Sequence, residues 1–158
     1  MAALCFFFIT PATSGKNESQ VLIPIFKPVA IDIKKEKAPL NPKGCTMAEM
    51  VQFYLSELGI KNAQLRFVRQ RMPHPHTHGY TQPQSNTHYL IALAQSLEPS
   101  EIRITVAHEL VHVRQIEQGQ IKKSEFKKDY LERDFEDEAF RLSLPLAAKF
   151  YQVLDCQK

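Results

Sequence analysis

The chain has 158 residues, 44% of them hydrophobic, which is enough for one domain with a core and too few for two. Its 20 Lys and Arg against 17 Asp and Glu leave a net charge of only +3. The lysines fall in scattered pairs (Lys34-Lys35, Lys122-Lys123, Lys127-Lys128) rather than one basic stripe, so no nucleic-acid partner is expected. No apolar run approaches the roughly 20 residues a membrane-crossing helix needs, so no integral membrane association is expected either.

In chain order, the apolar block Ala2 to Ile9 is followed by Pro11 and the small residues 12–15. This resembles a secretory signal peptide with a short apolar region and no basic start, which would place the protein outside the cytoplasm, secreted or periplasmic. If residues 1–15 are not such a signal, the expectation reverts to the cytoplasm. Cys5 lies inside this block and leaves Cys45 and Cys156 as an even pair, either a disulfide closing most of the chain or two unrelated thiols. Residues 16–44 read as an extended leader or edge strands, with short apolar runs at Val21 to Phe26 and Val29 to Ile33. Pro24 suits an edge position.

The remaining stretch, 45–158, reads as the folded domain. Thr46 and Glu49 form a Thr-x-x-Glu capping box, Met47, Met50, Val51, Tyr54, Leu55 and Leu58 recur at helical spacing, and Gly59 supplies the stop. Residues 63–70 and 87–95 read as strands. Between them "RMPHPHTHGYTQPQSN" carries three prolines, a glycine, and His74, His76 and His78, and predicts a long loop without regular structure. The alternating histidines suit a substrate-facing or exposed loop better than a metal site. The strand "HYLIALA" offers an edge on which an extended peptide can add as a further strand.

A helix is predicted from about Pro99 to Gln118, with Gly119 just beyond, and its apolar positions cover most of its circumference. Such a helix belongs in the middle of a domain. A second helical stretch is predicted from about Lys128 to Leu154, broken at Pro145.

The central helix contains "TVAHELVHVRQ". His108 and His112, four residues apart, project from one face within about 40° of each other, close enough to share an ion. Glu109 lies about 100° round, beside that ion rather than among its ligands. Burying two imidazoles and a carboxylate without partners costs several kcal/mol each, whereas coordination and proton transfer give every one of them a partner. A site of this kind needs a third protein ligand, and the acidic stretch "DYLERDFEDEAFRLS" supplies candidates.

Taken together, His-Glu-x-x-His and "YLERDFEDEAFRL" resemble the zincin metallopeptidases, specifically small single-domain members of the gluzincin branch. The match covers residues 91–142. The resemblance implies an α+β zincin-like domain: a small twisted β-sheet packed on the capped helix, the buried metal helix and the C-terminal helix. It implies one Zn2+ ion with His108, His112 and Glu136 as ligands, Glu109 as general base, Glu138 in a supporting or surface role, and a peptide or protein substrate hydrolysed by metal-activated water. Asp134 stands where the family's pattern often has proline, which leaves the helix start less defined. The metzincin continuation is missing, since residues 113–119 read "VRQIEQG".

The oxyanion of the reaction needs a further donor, and Tyr130, within the matched stretch, is preferred to Tyr80 and His88. Two alternatives stand beside the peptidase. One is a non-catalytic binding or structural protein in which the ion staples two helices. The other is a secreted protein whose His74-His76-His78 loop captures metal.

Overall fold

The computed structural model describes residues 29–121, 128, 132–153 and 155–156. The signal-like start and the Val21 to Phe26 run lie outside these residues. The fold is α+β, with a four-stranded mixed sheet and three helices. The strands are β1 (Val29–Ile31), β2 (Gln64–Gln70), β3 (Gly79–Pro83) and β4 (His88–Ala94). The helices are α1 (Met47–Leu58), α2 (Pro99–Glu117) and α3 (Asp134–Val153).

The sheet order is β1-β2-β4-β3. β2 and β4 pair in parallel at the centre, while β1 and β3 pair antiparallel at the two edges. β4 is flanked on both sides and four of its last four residues are buried, as a central strand requires. This corrects the expectation that the edge of "HYLIALA" is open: the edge on that side is β3. It also corrects the expectation that residues 71–86 hold no regular element. The three prolines mask the strand, and Pro83 is tolerated because it sits on an edge at a position whose missing N–H would point away from β4. The histidine-bearing segment before β3 carries the chain past β4, about 10 Å across two strand spacings.

α1 begins on its capping box, with Thr46 N donating to Glu49 Oε2 at 2.8 Å, and ends at Gly59, whose φ of 69° is the left-handed conformation that glycine adopts without penalty. α2 is the centre of the domain and touches α1, α3, β3 and β4. Residues 105–113 of α2 are buried without interruption, which is why apolar residues surround its axis. The core gathers Met50 and Tyr54 of α1, Phe67, Ile91 and Leu93 of the sheet, Val106, Leu110 and Val113 of α2, and Phe150 of α3.

α3 runs through Pro145 without the break expected there. Ala139, Leu146, Ala147 and Phe150 bury one face on both sides of the proline, while Arg141, whose carbonyl loses its partner, and Pro145 itself are exposed. Among the contacts that hold the far end of α3, two tie it to the segment before α1. Cys45 and Cys156 form a disulfide across 111 residues of sequence, and Asn41 Nδ2 donates to the Phe150 carbonyl at 3.2 Å. No helix among the described residues is long and apolar enough to cross a membrane.

Candidate metal centre

Three side chains from two helices converge in the interior. His108 and His112 stand one turn apart on α2, and Glu136 enters from the first turn of α3. His108 Nε2 and His112 Nε2 are 3.0 Å apart, and Glu136 Oε2 lies 3.3 Å from the first and 3.4 Å from the second. All three are buried, and among the described residues this is the one His/Cys/Asp/Glu group close enough to share an ion. His74 and His76 are exposed and form no second group of this kind.

The donor set fits a metal ion. Tetrahedral zinc at about 2.0 to 2.1 Å from nitrogen or oxygen sets its ligand atoms roughly 3.3 to 3.4 Å apart, and the observed triangle has nearly those edges. Two imidazole lone pairs facing each other at 3.0 Å repel unless a cation or a proton lies between them.

The surroundings settle which imidazole nitrogen is left to face an ion. His112 Nδ1 is 2.8 Å from Gln115 Oε1, one helical turn on. The orientation of the Gln115 amide is itself fixed, because its Nε2 donates to the Phe135 carbonyl and to Glu138 Oε2, both at 2.8 Å. Gln115 therefore presents only an acceptor to His112, the Nδ1 carries the hydrogen, and the Nε2 lone pair points to Glu136. The same amide ties the first turn of α3 to α2 and so places Glu136. Arg114 adds an ion pair to Glu138 at 2.7 Å. Phe140 and Phe135 pack their rings 4.7 Å and 5.7 Å from those of His108 and His112.

Glu109 is fully buried on the adjacent side of α2, against β3. Thr81 Oγ1 lies 2.9 Å from Glu109 Oε2 and 3.0 Å from the Glu109 carbonyl oxygen. Gly79 faces the other carboxylate oxygen so closely that a Cβ there would sit 3.2 Å from Oε1. Burial raises the pKa of Glu109, against the opposing pull of His108, His112 and the Thr81 hydroxyl. Glu136 behaves differently. Burial pushes its carboxyl up as well, but without an ion between them protonated His108 and His112 donate to it, and their hydrogen bonds and charge override burial and hold it at about 2.

Two of the three residues weighed as oxyanion donors are not brought to this centre. Tyr80 alternates with Gly79 and Thr81, so it faces the other side of the sheet, where its hydroxyl accepts from Gln70 Nε2 at 3.1 Å. His88 is exposed at the opposite end of β4, beside Ser85 Oγ at 2.9 Å. Tyr130 lies outside the described residues. The imidazole that does share a cavity with one of the three clustered side chains is His78, which lines a space of about 140 Å³ with His108, Ile104, Thr105 and Phe140.

Sequence reasoning missed Gln115, Thr81 and Gly79. Gln115 had a signal, being a polar residue three positions after His112 in a buried run. Thr81 and Gly79 had none, because they lie 28 and 30 residues ahead of Glu109 in a stretch that reads as loop. Comparison with known proteins returns nothing: no protein-family model, curated protein or solved structure matches the chain.

Proposed function

We propose that this chain is a zinc-dependent peptidase of the gluzincin type, with His108, His112 and Glu136 as metal ligands and Glu109 as the general base. The observation that carries the reading is the near-tetrahedral spacing of the three ligand atoms, with a fourth buried carboxylate on the same helix held by its own donor. Two imidazoles and one carboxylate are the donor set of catalytic rather than structural zinc, because three protein ligands leave a coordination position free. Zinc bound there supplies Lewis acidity, polarising a scissile carbonyl and making water a nucleophile near neutral pH.

The chain's own residues do the rest. Glu109 accepts the proton of the attacking water and returns it to the leaving amine. β3 is the element on which an extended peptide lies. The His78 carbonyl accepts from Ala94 N, and Gln84 N donates to the His88 carbonyl, so the hydrogen-bonded pairs with β4 fall at the even-numbered residues. The N–H and C=O of Gly79 and Thr81 therefore point along the edge away from β4, beside Glu109, and suit strand addition by a peptide or protein substrate. The Cys45–Cys156 disulfide supports a secreted or periplasmic location.

A second reading, an ion that only staples α2 to α3, is favoured by burial. His108, Glu109, His112 and Glu136 are each no more than 2% exposed. One experiment separates the two: zinc content of the purified protein, followed by incubation with a peptide library, for the wild type and Glu109→Gln. The peptidase reading expects one zinc in both proteins and cleavage only by the wild type. One zinc without cleavage leaves the staple, and absence of zinc ends both readings.

A further inference from the structure

Thr81 makes two kinds of contact at once. Its side chain, 4% exposed, turns toward α2 and meets Glu109, with Oγ1 at 2.9 Å from Oε2 and 3.0 Å from the carbonyl oxygen of the same residue. Its backbone pairs with Ile91 at a position whose N–H and C=O point along the free edge of β3. Gly79, two residues earlier on the same strand face, closes the other side of the carboxylate. One short strand thus encloses Glu109 with side-chain atoms and presents backbone groups at its outer edge.

We propose that Thr81 is a positioning residue that aims the Glu109 carboxylate and couples its alignment to the seating of substrate on β3. The inference rests on the peptidase reading of the centre. Glu109 has three rotatable side-chain bonds and neighbours two imidazoles that attract it. Without a donor on Oε2 the carboxylate swings toward them and away from the water it must deprotonate. The Thr81 hydroxyl has one hydrogen for two acceptors, and an ionised carboxylate oxygen draws it more strongly than a neutral carbonyl, so the bond falls to Oε2 and is among the stronger restraints a neutral side chain provides. An extended peptide that hydrogen-bonds to the backbone of Thr81 fixes the strand carrying that hydroxyl, so bound substrate and aimed base are set by the same residue.

A purely structural role predicts a different ranking of substitutions. Thr81→Val keeps the shape and methyl packing but removes the hydroxyl, whereas Thr81→Ser keeps the hydroxyl and loses the methyl. Packing alone makes serine the worse variant. Positioning makes valine the worse one: kcat falls about 10- to 100-fold with KM within about threefold, and serine restores most of the rate. The second readout needs no turnover. With cobalt(II) in place of zinc, the visible absorption of Thr81→Val shifts from that of the wild type, Thr81→Ser retains it, and all three proteins bind one cobalt. Should the valine variant not fold, Thr81→Ala beside Thr81→Ser carries the same comparison. A hydroxyl-free variant with wild-type kcat and an unshifted cobalt spectrum overturns the proposal, as does a serine variant impaired as much as it is. If the wild type cleaves no peptide, the peptidase reading has failed, and the cobalt spectra still decide whether Thr81 controls the group beside the metal.

Discussion

Gln115 Oε1 sits 2.8 Å from His112 Nδ1, and that contact decides which nitrogen of His112 is left to bind an ion. Because the Gln115 amide cannot turn over without losing its bonds to Phe135 and Glu138, it acts as a fixed acceptor. Replacing it with leucine keeps bulk in a fully buried position but frees the tautomer and unties the first turn of α3. Partners of this kind are worth about 10- to 100-fold in metal affinity. Competition of Gln115→Leu against a chromophoric zinc chelator should show that loss with the fold intact by circular dichroism. Unchanged affinity would mean that the contact is incidental.

The metal-free protein should show a distinctive acid limb. Glu136 titrates at about 2 when folded, against an ordinary 4.5, so its ionised form is favoured by folding. The stability it contributes is fully present above pH 4.5 and is lost as the pH falls through about 2. The full shift corresponds to about 3 kcal/mol. Glu109 works in the opposite sense: burial raises its pKa, so its contribution declines as the pH climbs above the ordinary carboxylate range. Urea unfolding of chelator-treated protein between pH 5 and 2 should give a steep loss for the wild type and a flatter one for Glu136→Gln. Parallel curves would show that Glu136 is not held by the two imidazoles.

Much of the fold is readable from local pattern. α1 declares itself by Thr46, Glu49 and Gly59, and α2 by Pro99, Gly119 and its apolar circumference, because caps and periodicity are short-range features. The pair His108 and His112 is legible for the same reason, and Glu136 only through the family resemblance. What escaped is long-range. The place of β3 at the edge, outside β4, follows from strand order, which no local signal encodes. Thr81 and Gly79 reach Glu109 only once that order is set. Pro145 misled because a proline normally ends a helix, whereas here burial on both sides of it outweighs one lost hydrogen bond.

The disulfide makes a stability prediction that needs no metal. Cys45 is buried at the entry to α1, and Cys156 follows the end of α3. Chain-entropy reasoning assigns a loop of this length a stabilisation of about 4 to 5 kcal/mol, and removal of a native disulfide typically costs about 2 to 5 kcal/mol. Cys156→Ser should lower the unfolding free energy by an amount in that range, measured in denaturant. On the proposed reading, zinc stoichiometry should survive, because Asn41 still ties the 41–45 turn to Phe150 and Gln115 still holds the other end of α3. A variant as stable as the wild type would argue that the cross-link constrains little.

Gly79 is required by space rather than by backbone conformation. A Cβ at this position would lie 2.7 Å from Thr105 Cγ2, 3.0 Å from the Ala92 carbonyl oxygen and 3.2 Å from Glu109 Oε1. The first contact cannot be relieved cheaply. Thr105 is buried on α2, where a β-branched side chain has few rotamers, and the carbonyl belongs to the central strand. Gly79→Ala must therefore push β3 away from α2 or displace the Glu109 carboxylate, at a cost of about 1 to 3 kcal/mol. On the peptidase reading, activity should fall along with stability, since Thr81 moves with the strand. Thr105→Ser deletes the methyl group that collides most severely, so the double variant should recover part of the loss, with a coupling of about 1 kcal/mol in a double-mutant cycle read by denaturant unfolding. If the two substitutions simply add, the Thr105 methyl is not what an added Cβ meets, and the tight packing of Gly79 on α2 is refuted.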